Sequence, residues 1–253
     1  MSLDSTLIFG FLAVFSRVTA MLMSAPLYGQ VVPVNIRIMV GGIVAMALLP
    51  VIHGHLPVPP TDLLGILMLM GREITVGLLI GGCLQFMLAA IQMAGTFLDL
   101  QIGIGSAQVF NPMLGQTATP IGQFKFLLGT VLVLMMNGHH LMFDAFVGSY
   151  SLPPLSIESM PGMLTTLTSL IGQLMLLALQ IAAPVAAVTV IIDVATGIVN
   201  KAVPQTQPFL ISLPAKLAVG FLALALGLPA LVGAVTGGLD ITFDHIRQLI
   251  GGA

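Results

Sequence analysis

Charge is scarce in this chain. Of 253 residues only 6% are Asp, Glu, Lys or Arg, against 57% hydrophobic. A soluble domain carries about 25% charged residues, so this chain could not cover a water-facing surface. Its natural solvent is lipid, or protein of the same kind. The net charge of −2 excludes the basic face of a nucleic-acid-binding protein, so no nucleic-acid partner is expected. Tryptophan is absent and cysteine occurs once, at Cys83. One thiol cannot build an intramolecular disulfide framework, and its place inside an apolar run reads as an inert buried thiol. The opening "MSLDSTLIFGFLAVFSRV" has an acid where a signal peptide has its basic region, and no small-residue cleavage site follows, so no cleaved leader is expected. Also missing are a fixed-period repeat, the strand alternation of an outer-membrane barrel, and any hydrophilic stretch able to hold a nucleotide.

What is present is long apolar runs. Residues 38–61, 74–98, 100–124, 159–192 and 217–239 carry no charge at all, and a helix needs about 20 apolar residues to span hydrocarbon. The pattern predicts helices over roughly 4–24, 34–52, 61–102, 119–149, 163–200 and 209–249. Two of these are long enough to fold back as a hairpin or to tilt strongly. The breaks "SAPLYGQVVP", "HGHLPVPP", "SLPPLSIESMPG" and "VPQTQP" combine Pro with Gly, His, Ser or Gln, which is turn chemistry. The expected fold class is all-α, a polytopic membrane-type set of helical hairpins. Loop charges are too few for a positive-inside bias to set the orientation.

Several charges stand within or beside the apolar runs: Arg17, Arg72, Glu73, Asp99, Lys125, Asp144, Asp193 and Lys216. A charge at mid-bilayer costs at least ~2.5–3.5 kcal/mol, so each must pair, face a wet cavity or lie outside hydrocarbon. Two readings stand: a proton or ion relay, and ion pairs between helices or subunits. Pairing is favoured, because a relay gathers acids on one helix face. Arg72 and Glu73 are adjacent, about 100° apart on a helix, and should seek different partners. Asp193 has no basic residue until Lys201 and should find its partner on another helix or another chain. Small residues suggest close helix packing: Gly77 and Gly81 have GxxxG spacing, and Gly41 and Gly42 precede Ala45, although such spacing is common in membrane helices. The sixteen methionines fit flexible core filling or a deformable lining. His139 and His140, with Asp144 nearby, resemble a metal set, but adjacent histidines on a helix diverge, and no metal or cofactor is expected. No nucleophile elbow or phosphate-cradling loop is seen, so no catalytic residue is assigned.

The stretch "LQIGIGSAQVFNPMLGQTATP" interrupts two apolar runs. It holds Gly103, Gly105 and Gly115, the pair Asn111-Pro112, and an apolar centre of Val109, Phe110 and Met113. Irregular backbone at membrane depth is tolerated only where protein buries it or where it lines a water-filled cavity. Residues 103–119 are therefore expected to line or close a pore, with Phe110 supplying bulk to a constriction that excludes water and ions. The plainer reading is a re-entrant turn.

"AGTFLDLQIGIGSAQVFNP", "GQFKFLLGTVLVLMMNGHHLMFDA", "VNKAVPQTQPFLISLPAKLAVG" and "SRVTAMLMSAPLYGQVVPVNIRI" together resemble the FliR family, export-gate membrane proteins of flagellar type III secretion. The resemblance runs through essentially the whole chain in order; Thr206, where the family pattern has Asn, is a small departure. It implies a subunit that assembles with FliP and FliQ into a narrow helical channel beside FlhB and FlhA. Unfolded export substrates would pass through that channel. It implies a FliP-like part over about 1–150 and a FliQ-like hairpin over about 151–253, in the bacterial inner membrane at the flagellar basal body, in contact with lipid. It favours the plug reading of 103–119 and a non-enzymatic role. The alternatives are a virulence type III gate subunit and a stand-alone secondary transporter. A transporter would be expected to carry matching interrupted segments in two related halves, and none is seen.

Overall fold

In hydrocarbon a backbone N–H or C=O finds no water, so each apolar run closes its own hydrogen bonds as a helix. The computed structural model describes residues 5–26, 32–57, 60, 62–104, 119–152, 160–203 and 208–251. Its helices are α1 Ser5–Ser24, α2 Val34–Ile52, α3 Leu63–Ile102, α4 Pro120–Met135, α5 Gly138–Gly148, α6 Met160–Ala202, α7 Pro208–Leu226 and α8 Leu228–Gly251. A 3₁₀ turn, His53–His55, follows α2. No strand occurs among the described residues, so the all-α expectation holds.

Two expected helices are each broken. The run over 119–149 divides at Asn137, which takes φ 59°, and α4 and α5 meet at 66°. Asn is among the few non-glycine residues that enter the left-handed region readily, so the ladder stops there. The run over 209–249 divides at Gly227, with a bend of 54° between the flanking helices. Pro229 lies just beyond and has no N–H to carry the ladder across. The two longest helices do not fold back. The 40 residues of α3 and 43 of α6 are continuous. At about 1.5 Å per residue each is roughly 60 Å long, twice a hydrocarbon core of about 30 Å. Among the described residues four helices are long and apolar enough to cross a membrane, or up to six spans if each bent pair counts as one.

The chain gathers into two compact units. One comprises Met1–Met87, Val133–Gly172 and Leu239–Ala253; the other comprises Leu88–Leu132 and Gln173–Gly238. In the first, α1 lies on α3 with backbone nearly touching backbone. A Cβ at Gly77 would collide with the Arg17 carbonyl, and one at Gly81 with the Met21 carbonyl and the Ser24 hydroxyl. The GxxxG spacing therefore does face a partner helix, and the surrounding core is made of Val14, Met21, Ile80, Leu84, Met142 and Phe146. Gly81→Ala should force the two helices apart and cost about 1–3 kcal/mol, as overpacking does. Gly82→Ala, whose Cβ would enter open space, should cost little. Thermal unfolding of the two variants in mild detergent checks this, and equal stability would show that the contact is not tight. In the second unit α4 crosses the end of α3, where a Cβ on Gly95 would lie 2.6 Å from the Gly122 Cα.

Candidate functional site

The close α1–α3 approach has a consequence for charge. Glu73 stands one turn before Gly77 on the same face of α3. Because Gly77 lets the Arg17 backbone come so near, the Arg17 guanidinium reaches Glu73 in bidentate form: Nε donates to Oε2 at 2.7 Å and Nη2 to Oε1 at 2.9 Å. Arg17 is 5% and Glu73 1% exposed. The third guanidinium nitrogen, Nη1, donates to Ser149 Oγ at 2.6 Å, and Ser149 Oγ donates in turn to the Phe146 carbonyl. Tyr150 Oη donates to Glu73 Oε2 at 3.1 Å, while its ring lies 3.7 Å from Arg17 Cζ, within cation–π range. Burial pushes the Tyr150 phenol up from its ordinary range, so it remains the donor. Every polar atom of the pair is thus occupied, the condition under which a buried ion pair is tolerated. Sequence reading missed Ser149 and Tyr150. The available signal was a polar pair closing an apolar helix in a chain with only two tyrosines.

Asp99 does a different task. Its carboxylate accepts the backbone N–H of Ile121 at 3.1 Å and of Gly122 at 3.0 Å. These are the second and third residues of α4, whose donors a helix cannot satisfy internally and which a preceding side chain usually caps. Here the cap comes from the last turn of α3, and the first α4 residue, Pro120, has no N–H to satisfy. Gly103, at φ 95°, ends α3 in the left-handed conformation that favours glycine at a helix C-terminus. The two ends of residues 103–119 are therefore tied together through Asp99. Asp99→Ala should leave the Ile121 and Gly122 amides without their acceptor and destabilise the start of α4 by about 0.5–2 kcal/mol. Asp99→Asn, which keeps one acceptor oxygen, should fall between. Hydrogen exchange at those two amides is the measurement, and unchanged protection in Asp99→Ala would disprove the cap.

Asp193 on α6 pairs with Lys216 on α7 at 2.5 Å, a partner on another helix of the same chain. Lys125 is buried, one turn into α4, and feels the Asp99 charge. Arg72 approaches Glu73 at only 3.9 Å, and Asp144 is exposed. Arg17, Glu73 and the α5 end are thus brought together, whereas Asp99 with Lys125 and Asp193 with Lys216 form separate groups. The His139 and His140 rings stand edge-on, 4.3 Å between centroids, and His139 Nδ1 is buried with no hydrogen-bond partner among the described residues. Among the described residues no cluster of three or more His, Cys, Asp or Glu could hold a metal. Of the expected plug residues, Gly105, Val109, Phe110, Asn111, Pro112, Met113 and Gly115 lie outside the described residues.

Comparison with known proteins places these features. The family model described as bacterial export proteins, family 1, matches residues 8–241. The flagellar biosynthetic protein FliR of Bacillus subtilis (strain 168) is 31% identical over 249 residues, 95% of this chain and 94% of that protein. The FliR of Caulobacter vibrioides is 30% identical over 240 residues, 94% of this chain and 92% of that protein. The surface presentation of antigens protein SpaR of Shigella flexneri is 28% identical over 207 residues, 80% and 78% of the two chains. The match takes in α1 to α7 and most of α8, with the Arg17–Glu73 pair and the Asp99 cap inside it, and the chain belongs to the FliR family of bacterial export proteins.

Proposed function

We propose that this chain is a structural, pore-forming subunit of the flagellar type III export gate in the bacterial inner membrane. On this reading it assembles with FliP and FliQ, adjoins FlhB and FlhA, and passes unfolded flagellar proteins. Its first ~150 residues act as a FliP-like part and residues 151–253 as a FliQ-like hairpin, by analogy with the family. The observation that carries assembly is the length of α3. Large apolar side chains are exposed from Leu63 and Leu67 through Leu78 and Phe86 to Met93 and Leu100. A helix of roughly 60 Å that is apolar outward at both ends exceeds what a hydrocarbon layer of about 30 Å can cover, so other apolar helices must cover the rest. Residues 103–119 are the proposed seal, held at their base by Asp99.

Co-expression with FliP and FliQ followed by native mass spectrometry tests the assignment. The chain alone should aggregate or be degraded, and the partners should recover it in one complex. A monodisperse, long-lived monomer in mild detergent that transports a solute by itself would establish the stand-alone transporter instead. The SpaR likeness supports a second reading, a virulence-type gate. Restoration of motility to a flagellated strain lacking its FliR separates the two, since the virulence reading predicts none.

A further inference from the structure

Immediately around Glu73 the charges do not cancel. Both oxygens of Glu73 are already engaged: they accept two N–H bonds from Arg17 and one O–H bond from Tyr150. Arg72 comes no nearer to it than 3.9 Å, beyond hydrogen-bond length. Two guanidinium groups against one carboxylate leave a surplus positive charge. The Arg72 side chain is only 28% exposed, and among the described residues it makes no hydrogen bond. Among the described residues its planar fork of five N–H donors thus has only this long ion-pair contact and no hydrogen-bond acceptor, on a helix long and apolar enough to cross a membrane.

Arg72 also lines two hollows. One is a cavity of about 190 Å³ bounded by Arg17, Glu73, His55 and Tyr150. The other is a groove of about 660 Å³ along α3, walled by Leu64, Leu67, Met68 and Met160. That groove falls within the roughly 300–1,000 Å³ typical of small-ligand sites. Residues 64, 67, 68 and 72 recur at helical spacing, so an apolar stripe leads along one face of α3 to a single guanidinium. An apolar groove ending in an unspent cation complements an amphiphile with an acyl chain and an anionic head.

We propose that this groove binds an anionic phospholipid, its phosphate on Arg72 and an acyl chain against Leu64, Leu67 and Met68. Guanidinium matches a phosphate bidentately, and basic pockets beside membrane helices take anionic head groups in this way. A free phosphate would leave the apolar wall exposed. A zwitterionic lipid would bring an ammonium toward a site that already carries surplus positive charge.

The test is native mass spectrometry of the full chain, extracted in mild detergent with whatever subunits accompany it, after addition of phosphatidylglycerol or phosphatidylethanolamine. Phosphatidylglycerol should be retained at lower lipid concentration, and excess inorganic phosphate should not displace it. Arg72→Gln should weaken its retention about five- to tenfold, Arg72→Lys less, and Leu67→Asn should weaken it through the chain contact alone. Lys201→Gln, at the far end of α6, should leave it unchanged. Equal retention of the two lipids, or unchanged retention in Arg72→Gln, overturns the site. Displacement by phosphate would mark a bare anion site instead. Loss of accompanying subunits in Arg72→Gln with lipid retention intact would assign the guanidinium to a carboxylate of another subunit, and equally overturns the proposal.

Discussion

Glu73→Ala should cost the folded protein about 3–5 kcal/mol, the penalty for leaving one member of a buried ion pair without its partner. Arg17 would keep its charge at 5% exposure, losing both carboxylate bonds and retaining only Ser149 and the Tyr150 ring. The loss should appear as a lower unfolding temperature in mild detergent and a lower yield of assembled complex. Replacing both members by apolar residues of similar size, Arg17→Met with Glu73→Leu, should recover much of the stability, because a buried pair is often no better than the hydrophobic contact that replaces it. A Glu73→Gln variant weighs pairing against proton relay. Pairing predicts that Glu73→Gln loses complex yield. A relay predicts full yield with a shifted pH profile of export, and that result would refute the structural role.

Removing the bulk of the proposed seal should open the assembled complex to ions. Deleting residues 106–115, or making Phe110→Ala with Met113→Ala, should leave the complex assembled and leaky, since a hydrophobic constriction closes by excluding water. Both ends of this segment are anchored by described structure: Gly103 terminates α3, and Asp99 ties the last turn of α3 to the first turn of α4. Shortening the segment between fixed ends therefore leaves the helices in place. A mere connecting turn predicts the reverse, misfolding on deletion and no effect from the side-chain changes. Conductance through the reconstituted complex decides. A deleted complex that assembles normally and stays as tight as wild type removes this segment from the seal.

Composition and apolar run length by themselves determined that the chain is helical and membrane-type. With 6% charged residues and no strand alternation of the barrel type, helices are what satisfies its backbone polar groups in lipid, and the predicted helix bounds fall close to α1, α2, α3 and α6. The bends at Asn137 and Gly227 were not legible, because Asn and Gly are tolerated inside membrane helices and only the backbone conformation shows where the ladder stops. Nor could sequence pair the charges. Arg17 and Glu73 are 56 residues apart and Asp99 and Gly122 are 23 apart, and each meeting depends on a place where two helix backbones approach closely. Gly77 beside the Arg17 carbonyl and Gly95 beside Gly122 make those approaches possible. A glycine in a sequence states only that a side chain is missing; which helix fills the space, and which charge it carries there, is decided by tertiary packing.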